Sequence, residues 1–258
     1  MKKKIIRLVL ILVVLLILVV VAAAFFLGSI VKKGVETVGP KVTKVETKLD
    51  GANISLLSGK GELKGVFLGN PQGFNTPAAI KVGSVSLAIN AKSILSDKIL
   101  VYSINVNSPE ITFEGSLGGN NLSKILDNIQ ASTAAPAGPA DGTKKGDSGG
   151  GRKIQVDDFA ITGGKINLSM TLLGDRTVTV PLPEIHLQNL GTDSSGITPA
   201  ELAEKVFKEI VAGATKAAAE AVTNYGKGAT DAVKNVGKTT SATLEKSTKG
   251  IGDMFKKK

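Results

Sequence analysis

Two stretches, KILVYSINVNSPEITF at Lys98–Phe113 and KIQVDDFAITGGKINL at Lys153–Leu168, decide the predicted fold. In both, apolar and polar residues alternate, which is typical of a β-strand with one buried face. Both shift the alternation by one residue at the same point and then pass a turn signal, Ser108-Pro109 or Gly163-Gly164. The matched positions are 55 residues apart throughout. We interpret the stretches as two copies of one unit with a shared bulge or bend, although five matched positions can also arise by coincidence in a strand-rich chain.

Alternation of this kind runs from Lys41 to Glu114 and resumes from Lys153 to Leu190. Asn120-Asn121 predicts the cap of a short helix that carries apolar residues at helical spacing. The pattern indicates an α+β fold with an antiparallel sheet and short helices. One face of the sheet must be apolar, either as an ordinary closed core or as a surface left open for acyl chains. The residues predicted for that face are Val85, Leu87, Ile89, Ile104, Val106, Ile111, Phe113, Phe159, Ile161, Ile166 and Leu168.

The N-terminal run Leu8–Leu27 contains twenty residues without a polar side chain. As a helix it would span about 30 Å, the thickness of a hydrocarbon core. Four basic side chains and the amino terminus precede the run, against Lys32 and Lys33 after it, which favours a cytoplasmic N-terminus. We therefore predict a single-pass anchor with the bulk of the chain outside. The alternative is a cleaved signal peptide at Ala22-Ala23-Ala24, but the run is longer than the usual apolar region of such peptides.

The remaining composition divides the chain further. Ala131 to Gly151 contains no large apolar residue and is typical of a flexible linker or disordered insertion. After Pro199 the period becomes helical, and lysines accompany the apolar residues to the end of the chain. The predicted segments are an anchor at 1–33, the two parts of one β-rich domain at 34–130 and 153–198, the insertion at 131–152 and a basic amphipathic helical tail at 199–258.

The formal charge of +10 lies at the two ends of the chain. Met1–Lys33 carries +6 with no acid, and Asn224–Lys258 has eight lysines against three acids, which leaves −1 for the middle. A near-neutral middle without an aromatic stacking platform argues against nucleic acid as a partner. The tail, ending in Phe255, Lys256, Lys257 and Lys258, suits a helix on an anionic membrane surface. A solvated, partly disordered tail is the alternative, because glycines interrupt it.

The residues needed for common catalytic sites are missing. The chain has no Cys and a single His, which leaves thiolate catalysis and zinc binding without ligands. Gly146–Gly150 spells GDSGG, the string around the nucleophile of chymotrypsin-like proteases, but it lies in the linker and His186 follows it instead of preceding it. His186 alternates opposite Ile185 and Leu187 and is predicted to be a surface residue. We expect no enzyme, no cofactor and no metal.

The N-terminal run with Gly39-Pro40 is followed by a series of short motifs: Ser58–Gly65, Gly69–Phe74, Ser93–Lys98, Ser108–Ile111, Asn120–Leu122 and Leu182–Ile185. In this order they resemble the N-terminal region of the AsmA-like family, in particular its short bacterial members. The likeness covers roughly Met1 to Pro199 and implies an inner-membrane anchor, a curved periplasmic β-groove and a role in envelope lipid transport or outer-membrane homeostasis. The chain is far shorter than the large family members, which are thought to bridge membranes, and it adds a basic tail.

Two functions remain open at the level of sequence. In the first, an inner-membrane-anchored periplasmic protein binds or passes membrane lipids through an apolar β-groove. In the second, the sheet is a closed scaffold of the envelope, and the basic tail binds a membrane or another envelope protein. The first follows from the anchor, the strand alternation and the family resemblance. The second follows from the same alternation with a filled core.

Overall fold

The computed structural model describes residues 11, 26–116, 119–134, 152–170, 177–193 and 195–224. Three helices occur in this part of the chain: α1, whose described residues are 26–43, α2 at Asn121–Ala134 and α3 at 199–224. A 3₁₀ helix covers Ala91–Leu95. The strands are β1 Thr47–Ser55, β2 Lys60–Leu68, β3 Ile80–Ile89, β4 Lys98–Asn107, β5 Glu110–Ser116, β6 Gly119–Asn120, β7 Lys153–Thr162, β8 Lys165–Met170, β9 Thr177–Pro181 and β10 Ile185–Leu190.

The ten strands form one mixed sheet that does not close on itself. Three pairs of consecutive strands, β4–β5, β7–β8 and β9–β10, lie end to end, because each pair borders the same neighbouring pair in the sheet. Across the sheet the order is therefore β1, β2, β3, β4–β5, β7–β8 and β9–β10, with the short β6 beside β5. Among the described residues, β1 forms one edge of the sheet and β9–β10 form the other.

The two copies of the sequence repeat lie side by side as parallel strands. Lys98 is the partner of Lys153 and Glu110 is the partner of Lys165, so the 55-residue offset is the register of the sheet. The prediction of an antiparallel sheet is wrong for β4–β7 and β5–β8, although the other strand pairs are antiparallel. The physical reason is the long connection from β5 to β7, which includes α2 and lets the second copy enter in the same direction as the first.

The predicted bulge is present in the first copy. Ala88 and Ile89 of β3 pair with Ser103 and Val101 of β4, so Tyr102 is an additional residue on β4. The parallel register between β4 and β7 continues unbroken past this point. Asp157 is the matching position of the second copy, but the register between β7 and β10 is also continuous there, so among the described pairs the register shift lies between β3 and β4.

A second irregularity crosses the sheet as a line, at Asp50, Gly65, Gly83, Ser108 and Gly163. Each of these five residues is left out of the strand pairing, whereas residues before and after it are paired with the neighbouring strand. Gly65, Ser108 and Gly163 have φ values of 60°, 50° and 63°, a left-handed conformation that changes the direction of a strand. We call this row the bend line. It contributes to the curvature of the sheet, because several neighbouring strands turn at the same height.

Helices α2 and α3 pack on one face of the sheet and share its hydrophobic core. In α2, Leu122, Ile125 and Ile129 are fully buried, as the helical spacing predicts. The buried residues of α3 are Phe207, Ile210, Ala214, Ala217 and Ala218. The first part of the segment predicted to be a tail therefore belongs to the folded core. Residues 131–134, predicted to belong to the insertion, are the last residues of α2.

Within the described residues, no helix is long and apolar enough to cross a membrane. The run Leu8–Leu27, predicted to be the anchor, lies outside those residues except for Ile11, Phe26 and Leu27. Residues 135–151, with the GDSGG string, and the tail end Phe255–Lys258 also lie outside. The sequence-based predictions for these segments stay predictions.

Candidate functional site

Helix α1 lies along the free edge of β1. Lys32 Nζ donates to the carbonyl oxygens of Leu49, at 2.5 Å, and of Asp50, at 3.2 Å. Glu36 Oε1 accepts from Leu49 N–H at 3.4 Å and lies 3.3 Å from Lys32 Nζ. Unpaired backbone groups of an edge strand invite pairing with other chains, and here two side chains of α1 satisfy some of them. The helix therefore protects this edge of the sheet.

The close approach of α1 to β1 requires a glycine at position 28. A Cβ atom added there would lie 2.1 Å from the carbonyl oxygen of Ala52, well inside van der Waals contact. Further along the helix, a Cβ at Gly39 would lie 2.7 Å from the Thr47 side chain. The contacts of Gly28 and Gly39 show that α1 and β1 run in opposite directions, side by side.

A cleft of about 650 Å³ lies between the beginning of the described part of α1 and the β1–β2 hairpin. Its volume is in the range of pockets that bind small molecules, about 300–1,000 Å³. The lining is amphipathic, because apolar side chains of the hairpin lie among both basic and acidic groups. The residues that set this character are Ile54, Leu56, Leu57, Lys32, Lys60, Asp50 and Glu62.

The cleft adjoins the apolar face of the sheet. A Cβ atom at Gly61 would lie 3.5 Å from Ile54 Cγ1 and 3.3 Å from Leu87 Cβ, so these two side chains lie on either side of Gly61 on the same face of the sheet. Ile54 lines the cleft, whereas Leu87 packs against the central core. A molecule in the cleft could therefore reach the apolar face without crossing a polar barrier at this point.

All eleven residues predicted for the apolar face belong to one hydrophobic cluster or pack against it. Seven of them are buried. One of the seven is Val85 on β3, and the other six lie on β5, β7 and β8, the part of the sheet near α2 and α3. The others are only partly buried and lie on β3 and β4. With Leu63 of β2, which pairs with Val85, they form what we call the partly covered strip: Leu63, Leu87, Ile89, Ile104 and Val106.

A polar cluster fixes the loop between β2 and β3 on the opposite end of the sheet. The buried carboxylate of Glu114 accepts hydrogen bonds from Asn75 N–H at 2.6 Å, from Thr76 N–H at 2.8 Å and from the Thr76 hydroxyl at 2.5 Å. Asn121 Nδ2 donates to Asn70 Oδ1 at 2.7 Å, and Asn121 Oδ1 accepts from Glu114 N–H. Burial raises the pKa of Glu114, but these hydrogen bonds outweigh it and hold the pKa below its ordinary value.

The role of the cluster is structural. Asn70 and Asn121 belong to two of the motifs that carry the family resemblance, and they bond each other. Asn121 also accepts from the Glu114 backbone N–H, and Asn70 donates to the Thr76 hydroxyl, which in turn binds the Glu114 carboxylate. The donors Asn75 and Thr76 already satisfy the carboxylate. The cluster therefore gives these motifs a shared role in fixing the loop between β2 and β3.

His186 lies on the exposed side of β10, as predicted from its alternation with Ile185 and Leu187. Its Nε2 lies 2.5 Å from Asp158 Oδ1 on the neighbouring strand β7. The hydrogen bond with His186 lowers the pKa of Asp158. In the described part of the chain, no group of three His, Cys, Asp or Glu residues is placed to hold a metal ion. The pair is solvated and lies away from the cleft.

The sequence interpretation missed the contribution of α1 to the site. Lys32 and Lys33 were interpreted only as positive charges after a membrane segment, whereas Lys32 binds the backbone of β1. A signal was present in the i, i+4 spacing of Lys32 and Glu36, which predicts an ion pair on a helix that continues past the apolar run. The cleft itself has no signature in the sequence, because residues of α1, β1 and β2 that are distant in the chain form its wall.

Comparison with known proteins gives one match. The model of the AsmA family matches residues 1–170, which include α1, the sheet as far as β8, and α2. No curated protein and no solved structure matches the chain. The AsmA family is typically associated with the cell envelope.

Proposed function

The chain belongs to the AsmA family, and from that premise we propose that it is an inner-membrane-anchored periplasmic protein that binds lipid acyl chains in envelope homeostasis. The binding surface is the partly covered strip together with the adjoining cleft. The observation that carries the proposal is that the partly covered strip lies next to an amphipathic cleft.

The strip has the chemistry that acyl chains require. Its five side chains are aliphatic, and Leu87 pairs with Ile104 across strands. Apolar area removed from water stabilises a complex by about 25 cal/mol per Å². An acyl chain that covers the strip would replace its remaining water contact, and no polar side chain of the strip would lose a partner.

The entrance has the chemistry that a lipid headgroup requires. Lys60 lines the cleft and has no carboxylate partner within the described ranges. Lys32, on the opposite wall, already binds two carbonyl oxygens and Glu36, so Lys60 is the cation proposed to meet the headgroup. Cationic side chains at the rim of an apolar site favour phosphate or carboxylate groups. The proposed orientation therefore has the headgroup at the rim and the acyl chain toward Ile54 and Leu87.

The anchor is part of the same proposal. Leu8–Leu27 is long enough to cross a bilayer, and the charges that flank it favour a cytoplasmic N-terminus. The described part of α1 begins at the end of this run and leads directly to the cleft. A lipid in the membrane next to the anchor would therefore have a short path to the strip.

The test is lipid co-purification with the full chain. The protein is purified in mild detergent, and bound lipids are extracted and identified by mass spectrometry. We expect phospholipid to accompany the wild type, and Leu63→Gln to lower its retention about tenfold, since an unpaired amide in an apolar site costs about 1–3 kcal/mol. Lys64→Gln, on the exposed neighbour, is the matched control. Lipid-free wild type, or equal loss in both variants, contradicts the proposal.

A second function is favoured by a different observation. Helices α2 and α3 already bury the β5, β7 and β8 part of the face. A scaffold whose basic tail binds a membrane or another envelope protein would need no further opening. This function predicts that removal of residues 225–258 abolishes the association with partners, and that lipid retention by the folded domain is absent before and after the removal. Catalysis is not part of either proposal.

A further inference from the structure

Two leucines project into solvent from neighbouring loops at one end of the sheet. Leu57, in the β1–β2 turn, is 86% exposed, and Leu95, at the end of the 3₁₀ helix between β3 and β4, is 88% exposed. The loops are adjacent, because Ile89 N–H at the end of β3 donates to Gly59 C=O in the β1–β2 turn at 2.6 Å. We call Leu57 and Leu95 the leucine tip.

The exposure of Leu95 is a consequence of a well-defined loop. Asn90 caps the 3₁₀ helix by accepting from Lys92 N–H, and Ser93 Oγ accepts from Leu100 N–H at 2.8 Å. The guanidinium of Arg152 donates to the carbonyl oxygen of Ile94. These bonds fix the backbone on both sides of Leu95. A single exposed leucine is ordinary, but two nearly fully exposed leucines on adjacent loops at one end of a sheet need an explanation.

The contacts of α1 determine how far the tip projects. From Gly39, which contacts Thr47, to Gly28, which contacts Ala52, the helix rises about 16 Å at 1.5 Å per residue. The five strand residues between the same contacts also rise about 16 Å, at 3.3 Å per residue. The agreement indicates that α1 and β1 are close to antiparallel. A distance along one can therefore be compared with a distance along the other.

The tip reaches past the end of the apolar run. The run ends at Leu27, only one residue before Gly28. Ser55, where β1 ends, lies three strand residues beyond Ala52, which is about 10 Å further toward the N-terminal end of α1. The β1–β2 turn is thus about 8 Å beyond the level of Leu27. Amphipathic segments at membrane surfaces bury their apolar side chains to similar depths, about 5–10 Å.

The charges around the tip complement an anionic surface. Lys60 follows the β1–β2 turn, Lys92 lies in the 3₁₀ helix, and Arg152 contacts the same loop. Asp97 is the acidic residue of that loop. Phe26 and Ile30, one helical turn apart, are also exposed on α1 beside this end of the sheet. Basic side chains around a small apolar patch are typical of surfaces that bind anionic phospholipids.

From these observations we infer that the leucine tip inserts into the surface of the membrane that anchors the chain, with anionic phospholipid as its partner. The inference rests on the proposed anchor and deepens the proposed lipid binding. Leu57 lines the cleft as well as forming the tip. Insertion would open the cleft at the level of the lipid headgroups, so that a lipid could enter it without passing through water.

The absence of Cys makes a direct test straightforward, because each introduced Cys is the single thiol of the chain. Leu57→Cys and Leu95→Cys are labelled in the full chain with an environment-sensitive fluorophore and reconstituted into bilayers of phosphatidylethanolamine and phosphatidylglycerol. Gln72→Cys, exposed in the loop at the opposite end of the sheet, is the control. Lipids with a nitroxide at a shallow acyl position serve as quenchers. We expect about twofold or greater quenching at positions 57 and 95 relative to position 72, from the depth of insertion.

The possible outcomes distinguish a failure of the inferred tip insertion from a failure of the proposed membrane anchor. If the protein stays in the bilayer after alkaline washing and the labels at 57 and 95 are quenched no more than the label at 72, the tip inference is wrong and the anchor is retained. A blue shift without quenching by nitroxide lipid means contact with protein, which also overturns the inference. If the washed bilayers contain no protein, the proposed anchor itself fails, and the inference fails with it.

Discussion

Replacement of Gly28 by alanine tests the packing of α1 against β1. The added Cβ would lie 2.1 Å from Ala52 O, and ordinary contact begins near 3.4 Å, so the backbones must separate by about 1.3 Å. The hydrogen bonds of Leu49, from Lys32 Nζ to its carbonyl oxygen and from its N–H to Glu36 Oε1, would then exceed hydrogen-bonding distance. Overpacking costs about 2 kcal/mol, and the two hydrogen bonds contribute about 1 kcal/mol each.

Gly34→Ala is the matched control. Gly34 lies in the same helix, and a Cβ there would meet nothing within 4 Å. Both substitutions gain about 1 kcal/mol of helix propensity, so their difference isolates the contact with Ala52. We expect Gly34→Ala to stabilise the protein by about 1 kcal/mol and Gly28→Ala to destabilise it by about 2–3 kcal/mol. For a chain of this length, this difference of about 3–4 kcal/mol corresponds to unfolding midpoints about 6–16 °C apart.

The assay combines thermal unfolding in detergent with hydrogen exchange of the peptide that contains β1. Gly28→Ala should accelerate exchange in Thr47–Ser55, whereas Gly34→Ala should leave it unchanged. Equal unfolding midpoints, together with unchanged exchange in β1 for both variants, would refute the view that α1 protects this edge of the sheet.

Four further substitutions test the bend line, the polar cluster and the core. Ser108→Gly should stabilise the protein by up to about 1 kcal/mol, because φ is 50° there, whereas Gly163→Ala should destabilise it, both measured by chemical denaturation. Glu114→Gln should cost about 2 kcal/mol at neutral pH. Since the folded pKa of Glu114 is lowered, its contribution is present above the unfolded pKa, about 4.3, and is lost on further acidification, so the variant's unfolding midpoint should fall less than the wild type's. Phe113→Ala should cost about 3–5 kcal/mol, because the side chain is fully buried, and an unchanged denaturation midpoint would contradict its place in the core.

The strands and the main helix positions follow from periodicity because a sheet with one buried face requires alternation. The shift at Tyr102 was visible as a change of phase, and the bulge opposite Ala88 and Ile89 is its structural form. The direction of pairing was not visible, since alternation is the same in parallel and antiparallel strands. The constant offset of the repeats predicts a parallel pair once the two copies are neighbours, because residues that pair at a constant difference in number lie on parallel strands.

The extent of cover on the apolar face could not be predicted. Alternation identifies Ile104 and Phe113 as inward residues of the same kind, yet Phe113 is fully buried and Ile104 only partly so. The difference depends on where α2 and α3 cross the sheet, which is decided by long-range packing. For the same reason Phe207 and Ile210 belong to the core although local charge pattern favours a surface helix. The cleft depends on the close approach at Gly28, which no local pattern encodes.

The most direct test of lipid binding is photo-cross-linking from inside and outside the sheet. A photoreactive amino acid is placed in the full chain at Leu87, in the partly covered strip, or at its exposed neighbour Ser86. Successive residues of a strand face opposite sides, so the two probes differ only in the face they sample. After irradiation in membranes, intact-mass spectrometry should detect a phospholipid adduct at position 87 and none at position 86. No adduct at position 87, or equal yields at both positions, would contradict lipid binding on the apolar face.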